Sequence, residues 1–433
     1  MARNRTKLGL TALLIFLMGA AASAQGLRDM QIFATADQSR YGGGHRPNEG
    51  YFFAFDGLVW SIGSPDATDV GRNDLTRNVV YVPEDGFTDP PTAGRPYPVT
   101  VESSSLSTGA FENEFTGGNR YDFGYMTGHH GWMFSAFYLQ DINQEIYGSN
   151  ASVVLQDAPL GLPIPVLGPD GGVSAITGRL DGYYYYDDDL TDGDDSSGGP
   201  LPVRFDELTV RNTVEMWNVE WDYIYRFHPG HHSGILEMRA GVRYLEFNEI
   251  FGVEGIGYED DTATATVPSG ILNDSLWTTW ADNHIIGGQI GLRWFRRQNR
   301  WTWEVESRFF AGYNAQSINQ RATIASRLQQ YQTAPPTPGV PVKMSGTVRS
   351  DSEFNIGVFS PNAEFRVNLK YQLTRSVTCR VGWTGLWLNG IARPSNMVDY
   401  SLNADGSIFG ILEQNNQQSV FINGISFGID LNR

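Results

Sequence analysis

The stretch Val358–Leu373, VFSPNAEFRVNLKYQL, decides the fold. Taken two residues at a time, one set is Ala363, Phe365, Val367, Leu369, Tyr371 and Leu373, and the other is Asn362, Glu364, Arg366, Asn368, Lys370 and Gln372. Successive strand side chains point to opposite faces, so this is a strand with one apolar and one charged side. The next segment repeats the pattern, with Val377, Cys379, Val381, Trp383 and Trp387 against Arg380 and Thr384.

Working outward, the same period recurs along the chain. Trp217, Val219, Trp221, Tyr223, Tyr225 and Phe227 oppose Asn218, Glu220, Asp222 and Arg226, and Leu236, Met238, Ala240, Val242 and Tyr244 oppose Glu237, Arg239 and Arg243. Ile286, Ile290, Leu292 and Trp294 oppose Gln289 and Arg293, while Trp303, Val305 and Phe309 oppose Glu304, Glu306 and Arg308. A last strand alternates Phe421, Ile425, Phe427, Ile429 and Leu431. With less regular strands at 51–61, 119–127 and 132–142, the pattern predicts ten.

The connections sharpen this reading. Those at 128–131, 228–232, 296–300 and 373–376 are short, those at 62–118, 143–213, 249–283, 316–353 and 391–417 are long, and the two kinds alternate without exception. An up-and-down barrel in an outer membrane sorts its connections this way, with short periplasmic turns and long extracellular loops. Strand length agrees, because crossing the hydrocarbon takes about 9 to 11 tilted residues. The expected fold is an all-β, up-and-down antiparallel transmembrane barrel of about ten strands. The count becomes twelve if two further strands lie near 178–186 and 203–213. The alternative is a secreted soluble β-sheet protein that binds glycans or calcium through its loops, using aromatics such as Tyr183–Tyr186.

Residues 1–24 combine Arg3, Arg5 and Lys7, an apolar run from Leu8 to Ala22, and Ala22-Ser23-Ala24, the form of a secretory signal peptide. The expected organisation is a signal peptide at 1–24, a periplasmic segment at 25–50 and the barrel at 51–433, placed in the outer membrane of a Gram-negative-type bacterium. Barrel-assembly machinery would act as partner during insertion, and membrane lipid afterwards.

Composition fits. The chain of 433 residues is 41% hydrophobic, which looks soluble until it is noted that a barrel needs only alternate residues to be apolar. Its net charge of −17 excludes nucleic acid as a partner, since phosphates call for clustered Lys and Arg. One cysteine, Cys379, excludes an internal disulfide framework and Cys-based metal clusters. Loss of the leader would leave −20, of which the five long connections carry −22, so the acidity belongs to the loops.

Two segments resemble a known family. GYFFAFDGLVWSIGSPDATDVG, Gly50–Gly71, is similar to the first strand of the putative beta-barrel porin-7 family of bacterial outer-membrane proteins. SPNAEFRVNLKYQLTRSVTCRVGWTGLWLNGIARP, Ser360–Pro394, resembles that family's penultimate hairpin. The resemblance implies an outer-membrane barrel with a porin-like role and no established active-site residues. The chain departs from barrels in general at its end, which reads Leu431-Asn432-Arg433 instead of closing on an aromatic residue.

The candidate site is the lumen, expected to be lined by Glu220, Arg226, Arg239, Arg243, Arg293, Glu304, Glu306, Arg308, Glu364, Arg366, Lys370 and Arg380. Both signs stand at close spacing, and the rigid fork of arginine suits charge-assisted cross-links between strands. Barrels of about eight strands are filled by side chains and open channels appear at 16 to 18, so a narrow or closed barrel is expected, passing small solutes at most. The acidic run Asp187, Asp188, Asp189, Asp192, Asp194 and Asp195 invites loosely bound calcium and no other cofactor, although Leu190 falls where an EF-hand needs a ligand. His129, His130, His228, His231 and His232 cluster in two turns, where a solvated turn is the commoner role. His284 beside Asp282 near the rim is the one arrangement reminiscent of acid–base catalysis. Motifs for nucleophilic, phosphate-binding or zinc chemistry are absent, so no enzymatic activity is expected.

Overall fold

A computed structural model describes residues 49–72, 76–82, 97–100, 104–157, 165–167, 173–180, 183–186, 200–229, 234–257, 275–324, 348–402 and 408–432. Ten antiparallel strands close into a cylinder: β1 (Gly50–Ile62), β4 (Phe115–Thr127), β5 (His130–Asp157), β9 (Pro200–Arg226), β10 (Gly234–Ile256), β11 (Ser275–Gln298), β12 (Trp301–Ile324), β13 (Val348–Gln372), β14 (Val377–Ile391) and β17 (Gln418–Asn432). Each pairs with its neighbours in the chain order of these ten, and β17 closes on β1 from Phe52 opposite Asn432 to Ile62 opposite Ile422.

The remaining strands lie in the long connections. β2 (Thr76–Val82), β3 (Tyr97–Thr100), β6 (Pro165–Leu167), β7 (Val173–Leu180) and β8 (Tyr183–Tyr186) form a separate sheet, and β15 (Val398–Leu402) pairs with β16 (Ile408–Ile411). This settles the twelve-strand alternative. Residues 178–186 contribute to β7 and β8 outside the barrel, while 203–213 belong to β9, a strand already counted.

Turn chemistry fixes one end of the cylinder. Gly128 (φ +57°) opens the turn from β4 to β5, and Asn299 (φ +56°) sits in the two-residue turn from β11 to β12. Both occupy the left-handed region that tight hairpins use, where glycine and asparagine are least strained.

The strands differ in reach. β1, β4, β14 and β17 are 13 to 15 residues long, whereas β5, β9, β10, β11, β12 and β13 run 23 to 28. At a rise of about 3.3 Å per residue the long set extends tens of ångströms past the short set. Much of what reads as loop at 143–157, 200–213, 249–256, 275–283, 316–324 and 348–353 is therefore strand. The reason is an inversion of hydrophobic phase. Near the turns β10 holds Leu236, Met238, Val242 and Tyr244 outward and Glu237, Arg239 and Arg243 inward; farther along, Leu245, Phe247, Phe251 and Val253 are the buried inward residues and Glu246 and Glu254 face out. β9 inverts likewise, from outward Trp221 and Tyr223 to inward Leu208, Val210, Val214 and Met216. The cylinder leaves an apolar medium there and continues as a water-soluble barrel with an apolar inside.

Below the inversion the outer surface is an apolar belt. Ile286, Ile290, Leu292, Phe309, Ile425, Phe427 and Ile429 are all exposed on it. Aromatic pairs mark its two margins: Tyr51 with Tyr125 and Trp301 with Tyr371, each at 4.7 Å, on the turn side, and Trp217 with Tyr244 at 5.1 Å on the loop side. Such girdles sit at membrane interfaces, and the outward span of about 11 residues between them, as from Phe421 to Leu431, matches the hydrocarbon thickness.

Candidate functional site: a filled lumen

The inside of the barrel is a stack of layers. At the turn end Phe52, Met126, Met133 and Ile224 form a buried apolar floor. Above it, nine cations (Arg120, Arg226, Arg239, Arg243, Arg293, Arg308, Arg366, Lys370 and Arg380) meet nine carboxylates: Asp56, Asp122, Glu220, Asp222, Glu237, Glu304, Glu306, Glu364 and Asp430.

The pairing runs around the wall. Arg226 bonds Glu237 at 2.7 Å; Arg293 bridges Glu237, at 3.3 Å, to Glu304; Lys370 joins Glu304 at 3.0 Å to Asp430 at 2.8 Å. Arg380 gathers three aspartates, with Nε donating to Asp56 at 2.8 Å and lying 3.5 Å from Asp430, and Nη2 standing 3.6 Å from Asp122. Arg308 links Glu306 at 2.6 Å to Glu220 at 2.5 Å, and Arg239 adds a second contact to Glu306 at 2.9 Å. Glu364 receives Arg243 at 2.8 Å and Arg366, with Arg120 at 3.7 Å. Neutral side chains complete the net: Gln289 donates to Glu220 and Asp222 at 3.2 and 2.6 Å, and Ser135 donates to Asp122 at 2.6 Å. In this confined space a lone charge would cost several kcal/mol, and the balance of signs is what makes the layer tolerable.

Over the charges lies an apolar roof that includes Leu58, Trp60, Phe137, Met216, Phe247 and Phe310. The layers meet through cation–π contacts: Arg120 stands 5.2 Å from the Trp60 ring and 5.4 Å from Phe137, and Arg243 stands 5.7 Å from Phe310.

Beyond the roof the chain leaving β14 turns inward and is fastened by amides. Asn283 accepts from the Ala392 N–H at 2.8 Å and donates to the Ala392 carbonyl at 3.0 Å, while Asn314 and Gln316 donate to the Gly390 carbonyl at 2.8 and 3.0 Å. Arg393 makes a two-pronged bond to Glu249, at 2.8 and 2.7 Å, and donates to the Gly63 carbonyl at 3.0 Å. The β15–β16 hairpin then plugs the mouth, where Val398, Tyr400 and Phe409 join Phe205, Phe251 and Trp277 in a second apolar core. β15 also pairs with the far end of β5, at Ser401 opposite Gln156, and Ile411 of β16 and Phe354 of β13 pack against the same cluster of Ala281, Ile318, Ala392 and Met397, so the plug reaches both edges of the tall wall. The charged layer holds a cavity of about 30 Å³, room for roughly two waters.

The structure places all twelve of the lumen residues read from the sequence inside the barrel, distributed over three bonded groups of this one charged layer, around Glu304, Glu306 and Glu364. Asp222 and Glu237, which alternation puts on the charged faces, complete the layer with four residues that the reading missed: Asp56, Arg120, Asp122 and Asp430. Asp56 sits among inward Phe52, Ala54, Leu58 and Trp60, a face with no polar contrast to detect, and glycines dilute the alternation around the others.

His284 and its neighbour Asp282 point outward from β11, and His284 Nδ1 lies 2.8 Å from the Tyr244 hydroxyl and 3.6 Å from Glu246. His129 Nδ1 lies 2.7 Å from the Arg226 carbonyl, and its ring is 4.3 Å from that of His228. Among the described residues no three His, Cys, Asp or Glu side chains converge on a metal-sized site. His231, His232 and the acidic run Asp187, Asp188, Asp189, Asp192, Asp194 and Asp195 lie outside the described residues, as does the predicted signal peptide.

A closed antiparallel cylinder with an apolar, aromatic-edged outer belt is a transmembrane β-barrel of the outer-membrane type. More particularly, residues 222–432 match the model of the family described as Putative beta barrel porin-7, the family that the hairpin Ser360–Pro394 resembles. The first-strand resemblance, Gly50–Gly71, lies outside the matched residues. No curated protein matches the chain. Similar solved structures include the outer membrane protease OmpT from Escherichia coli, at 10% identity and a TM-score of 0.39 over 89% of this chain and 97% of that one. A FadL homologue from Pseudomonas aeruginosa has 8% identity and a TM-score of 0.23 over 92% and 98% of the two chains.

Proposed function

We propose that this protein is an outer-membrane barrel with a closed lumen, a structural scaffold that carries acidic loops at the cell surface and does not conduct solutes. The observation that carries the reading is the uninterrupted stack of apolar floor, balanced charge layer, apolar roof, amide latch and plug. A cavity of about 30 Å³ holds waters but passes no sugar or amino acid. On this reading the turn end, with both β1 and β17 termini, faces the periplasm, and the long strands and their loops face outward. Narrow passive transport is the alternative within the same fold, and would need the Arg393–Glu249 latch to open and the roof to part.

The non-catalytic reading is supported by the outward orientation of His284 and Asp282, away from any enclosed pocket. Liposome swelling tests the whole proposal. Vesicles carrying the refolded barrel are expected to swell in iso-osmotic arabinose or glycine no faster than empty ones; rapid swelling would establish the transport alternative. Heat-modifiable gel migration and extraction only by detergent are expected alongside, whereas a monomer soluble without detergent would remove the membrane assignment itself.

A further inference from the structure

The charge layer is balanced as a whole but not locally. Arg380 holds three aspartates, while Glu364 serves three arginines, Arg120, Arg243 and Arg366. Around Glu364 the donors outnumber the acceptors. Arg120 Nε and Nη2, Arg243 Nη2 and Arg366 Nη2 are buried without a hydrogen-bond partner, as are Arg239 Nε and Arg293 Nε farther round the wall. Unmade bonds of this kind are costly for charged donors.

Four of these five arginines, Arg120, Arg239, Arg293 and Arg366, line the one cavity described above. Its wall carries six cations, the other two being Lys370 and Arg380, against five carboxylates: Asp56, Asp122, Glu304, Glu306 and Asp430. Glu364, which bonds Arg366 and stands 3.7 Å from Arg120 just behind this wall, supplies a sixth carboxylate, and the volume of about 30 Å³ suits a single halide-sized ion with a water beside it.

We infer that this cavity is a binding site for a small monovalent inorganic anion, chloride in ordinary media, enclosed as the barrel closes and held by Arg120 and Arg366. The ion takes up the spare guanidinium donors, leaving Glu364 to bridge the arginines behind it. A water molecule offers the same donors one or two lone pairs, whereas a halide accepts several charge-assisted bonds at once, so the site discriminates in favour of the anion. The inference rests on a closed lumen. The swelling assay reports on that closure, and the following experiment reports on the ion, so the two fail separately.

The test is the melting of the refolded barrel in detergent at fixed ionic strength, with chloride exchanged for gluconate, an anion too large for the cavity. The melting temperature is expected to rise with the logarithm of chloride concentration, with bromide able to substitute, and Arg120→Gln is expected to lose that dependence. Crystals of the unsubstituted barrel grown in bromide are expected to show an anomalous scatterer between Arg120 and Arg366; this measurement stands even if the variant does not fold. Equal melting in chloride and gluconate, a chloride effect kept in full by Arg120→Gln, or a cavity without anomalous signal would each overturn the inference.

Discussion

Glu364 shows how much of this barrel depends on single side chains. It is 3% exposed and lies among Arg120, Arg243 and Arg366, so Glu364→Gln removes the one carboxylate that those three cations share. Breaking a buried pair leaves the partner charge uncompensated, and the expected cost is about 3–5 kcal/mol in urea unfolding from lipid bilayers. By contrast Arg321 and Asp351, with side chains 78% and 81% exposed, form a solvated pair, and Arg321→Ala is expected to leave the same unfolding curve unchanged. On the outer face Ile290, in the middle of the belt, is expected to cost about 2–4 kcal/mol when changed to Arg, because that guanidinium would face hydrocarbon. At this scale the sequence is legible where apolar and charged residues alternate strictly. The inward Glu304, Glu306 and Arg308 stand out against outward Trp303, Val305 and Phe309, whereas Asp56 hides among inward apolar neighbours.

Elements were legible up to the membrane margin and not beyond. The belt-level halves of β9 to β14 follow one hydrophobic phase, so their number, order and turns follow from alternation alone. Past Tyr244 on β10, or below Trp217 on β9, the phase inverts because water lies outside and an apolar core inside, and a reading that holds one phase ends the strand there. The β15–β16 plug carries no such period; its place comes from tertiary partners, chiefly Trp277, whose ring lies 5.1 Å from Phe409 and 6.1 Å from Tyr400. Trp277→Ala is expected to lower stability by about 3–5 kcal/mol, read by unfolding of the loop-side core. Burial raises the Tyr400 phenol above its ordinary value. Its contribution is therefore full below about pH 10, where the unfolded phenol begins to ionise, and declines as pH climbs toward the folded value. Limited proteolysis should show the segment after Ile391 becoming cleavable above that pH in the native barrel, and Tyr400→Phe should remove the dependence.

For the whole molecule, two barrels share one set of strands. The turn-side barrel turns apolar side chains to lipid and balances nine cations with nine carboxylates inside; the loop-side barrel reverses this, with an apolar core and a polar exterior. Each inside is filled, and the hairpin that plugs the mouth spans between the β5 and β13 edges of the tall wall. A net charge of −17 thus averages a neutral membrane interior with acidic connections. The central claim is closure, and planar-bilayer recording of the refolded barrel tests it most directly. The account predicts a flat baseline in molar potassium chloride, with no steady unitary steps at any moderate voltage. Long-lived open levels of uniform size, surviving repurification, would contradict it.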